Sequence, residues 1–184
     1  NYERTRLILW EMADMLSLDL VDKGVVTNQI VLTVGYDKES LADGHYTGEV
    51  VCDHYGRKIP KHAHGTQNLG RHTSSTRKIT DATMALFDRI IDKTLLARRL
   101  NLTACNVIRE EDIPEIESYE QISLFDMVEA ANADNNAEEK ERALQEAMLL
   151  IKHKYGKNAI LKGTNYTEGA TARERNRSIG GHKA

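Results

Sequence analysis

Between Thr27 and Tyr36 the side chains alternate. Ile30, Leu32, Val34 and Tyr36 fall on one side of an extended chain, and Gln29, Val31, Thr33 and Gly35 on the other. That period of two predicts a strand covered on one face. Ahead of it, residues 3–22 repeat at three and four: Ile8, Leu9, Met12, Ala13, Leu16 and Leu20 form a stripe, with Glu11, Asp14 and Asp19 off it. This is an amphipathic helix stopped near Gly24. Asp43-Gly44 signals a turn, after which Tyr46 to Cys52 predicts a shorter strand in a hairpin with the first. Residues 69–76 read as a strand entering a hydroxyl-rich turn. Thr80 is placed to cap a helix reaching about Leu96, with Met84, Phe87, Ile91 and Leu95 inward. Residues 98–109 alternate again, Leu100, Leu102, Ala104 and Ile108 opposite Arg99, Asn101, Thr103 and Cys105.

Two strands in direct succession, in a sheet that keeps a polar face, favour an α+β layer with two helices on one side over a doubly wound parallel fold. The uncovered face then presents Gln29, Thr33, Arg99, Asn101 and Thr103. This front domain spans residues 1–109. An acidic linker follows over 110–133. A helix over 134–156 is capped by Asp134, striped by Ala137, Leu144, Met148, Ile151 and Tyr155, and ended by Gly156. Residues 157–184, rich in glycine and basic side chains and poor in apolar ones, are expected to be flexible or to order on binding.

Charge sharpens this division. The net charge is only −3, but residues 54–80 hold six Lys or Arg and no acid, and residues 110–141 hold twelve acids against Lys140. From Arg142 onward nine Lys or Arg face three Glu. A basic stretch that excludes acid suits a polyanion, because each neutralised phosphate releases counterions; the plainer alternative is a solvated loop. On a polar sheet face edged by such residues, Lys, Arg, Ser, Thr and peptide N–H groups would meet a DNA backbone.

Within the acidic linker lies Gln121-Ile122-Ser123-Leu124-Phe125. Three large apolar side chains stand there among carboxylates, with no evident packing partners. Exposed hydrophobes in a charged linker point to a partner's pocket, where one aromatic anchor supplies much of the affinity. The alternative is a turn docked back on the domain. The five residues resemble the motif by which bacterial DNA polymerases and repair factors attach to the ring-shaped sliding clamp.

Other chemistry is sparse. Cys52 and Cys105 have no disulfide framework around them, which suits a reducing compartment. No apolar run approaches membrane-spanning length and no signal peptide opens the chain, so a cytoplasmic location is expected. Cys52, His54, His62 and His64 are ligand types that zinc accepts, but their spacing matches no common finger and basic side chains lie between them, so no metal is expected. Ser74 and Ser75 lack an orienting acid and an oxyanion loop, and no glycine-rich phosphate loop occurs.

The order of elements over residues 1–109 resembles the little-finger domain of Y-family translesion DNA polymerases, whose pattern is strand, helix, strand, strand, helix, strand. Leu32-Thr33-Val34-Gly35-Tyr36-Asp37 and Lys58-Ile59-Pro60-Lys61-His62-Ala63-His64-Gly65-Thr66 are similar to segments of the UmuC-like members from Gram-positive bacteria. So are Gly169-Ala170-Thr171-Ala172-Arg173-Glu174-Arg175-Asn176 and the ending Ile179 to Ala184. The family's first little-finger strand has no counterpart ahead of the opening helix, so the chain reads as a fragment of a longer protein or as a sheet lacking one member, with an edge open to pairing.

The resemblance implies that the parent copies past damaged bases while this domain grips primer–template duplex, with the clamp as second partner and the tail open to other repair proteins. It implies phosphate contacts from Arg98 and Arg99, from Arg71 with Thr73, and from Ser74, Ser75 and Thr76, joined by Lys58, Lys61, Asn101 and Thr103 on the basic and polar surfaces. Readout would be of backbone rather than bases. Catalysis, with the Mg2+ expected of the parent, would reside in upstream palm, fingers and thumb. A non-catalytic adapter binding clamp and DNA uses the same surfaces and stands as the alternative.

Overall fold

A computed structural model describes residues 2–42, 44–113, 127–179 and 182–183. Helix α1 (Tyr2–Asp22) leads into strand β1 (Val25–Tyr36), followed by a small hairpin of β2 (Val50–Cys52) and β3 (Lys58–Pro60). Then come β4 (Ala63–Thr73), helix α2 (Thr76–Ile90), β5 (Ala97–Cys105) and β6 (Ile108–Arg109). Beyond the linker lie helix α3 (Met127–Tyr155), the short α4 (Ala172–Arg175), and β7 (Ser178–Ile179) paired with β8 (His182–Lys183).

The sheet runs in the order β4-β1-β5, with β6 pairing the start of β1, and every pairing is antiparallel. The alternation of β1 is realised as expected: Ile30, Leu32 and Val34 are fully buried and Tyr36 nearly so. They meet Leu9 of α1 and Met84, Leu86 and Phe87 of α2, so both helices cover one face of the sheet. Gly65 of β4 lets α2 approach. A Cβ there would stand 2.8 Å from Leu86 Cδ1 and 2.9 Å from Ile90 Cγ2. Phe87, with no exposed surface and stacked on Tyr2 at 5.6 Å, is the largest fully buried side chain. Phe87→Ala should therefore cost about 3–5 kcal/mol, the loss expected when a core aromatic leaves a cavity, read as a lowered urea midpoint at unchanged slope.

The α+β class holds, while several boundaries differ from the expectation. The segment ending at Cys52 pairs with Lys58–Pro60 and not with β1. The partner of β1 is β4, which begins at Ala63, inside what charge alone presented as a basic loop. Helix α2 is capped by Ser75, whose side chain accepts from the Lys78 N–H, and not by Thr80. Thr80 is buried one turn later and donates to the Thr76 carbonyl at 2.7 Å. The helix stops at Ile90 rather than near Leu96, because Asp92 Oδ1 gathers the backbone N–H and hydroxyl of Thr94 into a turn.

Helix α3 starts at Met127, ahead of the expected Asp134. Its covered positions are Gln145 and Met148, while Leu144 and Tyr155 of the expected stripe are 57% and 67% exposed. A polar surface beneath the helix explains this, since it turns Glu141, Gln145 and Arg142 inward toward hydroxyls.

The tail, expected to be flexible or to order on binding, is where the described structure adds most. Residues 157–178 fold back onto α1 around Glu11, which is 2% exposed although its sequence position put it on a solvated stripe. Glu11 accepts from Asn165 Nδ2 at 3.0 Å, the Thr171 N–H at 2.9 Å and Arg175 Nη2 at 3.1 Å. Lys162 pairs with Asp14 beside it. Carboxylates misplaced for an isolated amphipathic helix become tolerable once cations and amides from the tail surround them.

Candidate nucleic-acid interface

The helices leave the other face of the sheet open, and strand register sets what stands on it. Thr33 lies between His64 on β4 and Asn101 on β5, and Val31 between Thr66 and Thr103. Gln29 faces Asn68 one row further along. Paired residues of antiparallel strands project to the same side, so these rows form one polar surface with Arg99 at the end, opposite Gly35. Thr33 Oγ1 and His64 Nδ1 lie 3.0 Å apart. Arg99 is exposed and has no ion-pair or hydrogen-bond partner among the described residues. An exposed cation surrounded by Thr and Asn donors is what a phosphate ester accepts.

The β2–β3 hairpin walls one side of this face. Between them runs a groove of about 770 Å³ lined by Thr33, Arg98, Arg99, Asn101, His62 and the hairpin residues Asp53, His54, Tyr55 and Arg57. The acid among these, Asp53, is committed to Arg57: Nε donates at 2.7 Å and the backbone N–H at 2.9 Å. Those donors hold the Asp53 carboxyl below the usual carboxylate range. Arg98 lies 3.4 Å from Asp37, and Lys61 is paired with Glu49 at 2.6 Å. Lys58 is exposed on β3.

The structure thus separates the expected contacts into two sets. Arg98, Arg99, Asn101, Thr103 and Lys58 lie around the open face and its hairpin. Arg71, Thr73, Ser74, Ser75 and Thr76 lie instead where α3 crosses the start of α2. Thr73, Ser74, Ser75 and Thr76 are all buried. Ser75 Oγ donates to Glu141 Oε2 at 2.6 Å, and the Arg77 N–H donates to Glu141 Oε1 at 2.8 Å. Gln145 Nε2 donates to the Ser74 carbonyl and to Thr76 Oγ1, and Arg142 donates to Ser74 Oγ at 3.2 Å. Arg71 and Lys78 both pair with Glu138. The expected phosphate donors at Ser74, Ser75 and Thr76 are thus engaged within the chain: Ser75 Oγ and the Arg77 N–H at the α2 N-terminus serve Glu141, Ser74 Oγ accepts from Arg142, and Thr76 Oγ1 accepts from Gln145 and lies 2.8 Å from Ser17 Oγ.

Sequence reading missed His64, Thr66 and Asn68. Their alternation with Ala63, Gly65 and Leu69 was available but was masked by the basic composition around it. Gln121, Ile122, Ser123, Leu124 and Phe125 lie outside the described residues. Among the described residues no group of three or more His, Cys, Asp or Glu side chains gathers as a metal site, and no helix is long and apolar enough to cross a membrane.

Two helices backing a sheet whose opposite face is polar and carries an arginine unpaired among the described residues define an α+β domain. The chain belongs to the impB/mucB/samB family, whose C-terminal domain it matches over residues 1–124. It is 28% identical over 183 residues to the putative UV-damage repair protein UvrX of Bacillus subtilis (strain 168), covering 99% of this chain and 35% of that protein. The chain therefore spans about a third of that relative's length. No solved structure matches it. Membership agrees with the UmuC-like resemblance carried by residues 32–37 and 58–66.

Proposed function

We propose that the open face of β4, β1 and β5 binds the sugar–phosphate backbone of duplex DNA, within a longer protein of DNA repair that copies past damaged bases. The observation that carries this is the polar face itself, with Arg99 unpaired at its edge and Thr33, Asn101, Thr103 and His64 in register around it. Family membership and the repair role named for UvrX support the setting. Backbone contacts serve a domain that must accept any sequence, since phosphates are the same at every step while base edges are not. Residues 121–125 would tether the same protein to a sliding clamp. Nucleotide transfer with Mg2+ is proposed for the longer protein only, and no step of it is assigned to the described residues of this chain.

Arg98→Ala combined with Arg99→Ala should weaken binding to blunt duplex and flatten its salt dependence. Each lost phosphate contact removes about 0.9 from the slope of log K against log salt. Titrations at several salt concentrations read both quantities, and an unaltered slope would reject the open face as the DNA surface. A helix-side contact would respond instead to changes at Arg71.

A further inference from the structure

Tyr55 at the tip of the β2–β3 hairpin is 78% exposed, the largest exposure of any large hydrophobic or aromatic side chain among the described residues. It is nevertheless held in place. Arg57 lies 5.0 Å from the ring centroid and is fixed in turn by Asp53, which also accepts the Tyr55 N–H at 2.9 Å. His54 packs against the ring at 5.4 Å, and Gly56 completes the turn at φ +74°. A solvent-exposed aromatic ring that is already immobilised loses little entropy when something stacks on it, and the guanidinium behind it strengthens attraction to a π-system.

We propose that Tyr55, backed by Arg57, stacks on an unpaired nucleobase next to the duplex, so that the hairpin grips single-stranded DNA while the sheet holds the double strand. This rests on the duplex reading above and extends it. Bases within a duplex hide their faces against one another, so a ring presented in this way finds a partner only where a strand is unpaired. The position agrees. Tyr55 lines the groove whose floor carries Arg99 and Asn101, so a base at the hairpin leaves its phosphates beside those donors.

The test compares the full chain on a blunt duplex and on the same duplex with a short thymidine overhang, with 2-aminopurine placed in the overhang. Stacking on one aromatic side chain is worth about 1–3 kcal/mol per base, so the overhang should tighten binding roughly five- to 150-fold and quench the 2-aminopurine. Tyr55→Ala should lose the quench and the gain of the overhang over its own blunt-duplex affinity, and Tyr55→Phe should keep both. Equal affinity of the wild-type chain for the two DNAs, or an undiminished gain in Tyr55→Ala, overturns this inference and leaves the duplex reading intact. Failure to bind either DNA overturns both.

Discussion

Glu11→Ala is expected to detach residues 157–178 from α1 and to cost about 3 kcal/mol, the lower end for breaking a buried charged pair because Arg175 keeps some exposure. Glu11 has a fully buried side chain, and both of its oxygens are occupied by donors from the tail. Burial already pushes the Arg175 guanidinium below its ordinary value, opposed by the charge of Glu11, and its Nε is buried without a partner. Removing the carboxylate would leave that cation and the buried Asn165 amide unmet, so the tail gains by returning to water. Amide exchange over residues 163–176 and urea denaturation should both respond. Glu11→Gln, which keeps the shape and one acceptor but not the charge, should fall between. Unchanged exchange in Glu11→Ala would show that the tail is held by its other contacts, the Lys162–Asp14 pair among them, and not by Glu11.

The same network marks what sequence could and could not disclose. The period of two in β1 and β5 located the sheet and its polar face, because a half-buried strand must alternate whatever surrounds it. Leu9, Met84 and Phe87 were likewise legible as inward positions. Glu11 and Asp14 were not. A carboxylate on a helix reads as solvated unless its partners are known, and Asn165, Thr171 and Arg175 lie about 160 residues away in a stretch with too few apolar side chains to suggest folding. Such a stretch can order by satisfying buried charges rather than by burying hydrophobes. The α2–α3 junction was illegible for a related reason: the Ser75 hydroxyl and the Arg77 N–H offer the same donors to a carboxylate as to a phosphate, and only the placement of Glu141 shows that a carboxylate meets them. Only the end of β4, from Leu69, was legible as a strand, because lysines and arginines around its first half carried a composition signal stronger than the alternation there.

Leu124→Ala with Phe125→Ala is expected to abolish binding to a bacterial sliding clamp. Within Gln121-Ile122-Ser123-Leu124-Phe125 these two side chains would be the apolar anchors of the proposed motif, in a stretch whose neighbours in sequence are largely acidic. In short peptides bound this way, central apolar anchors each cost about 2 kcal/mol or more on truncation, so losing both should weaken binding roughly a thousandfold, beyond ordinary detection. The open sheet face lies in a separate stretch of the chain, so blunt-duplex affinity should stay where it was, which excludes unfolding as the cause. Calorimetry against purified clamp reads the first quantity and a duplex titration the second. Clamp affinity unchanged by the double substitution would remove residues 121–125 from the tether and leave the sheet and its hairpin as the proposed attachments to DNA.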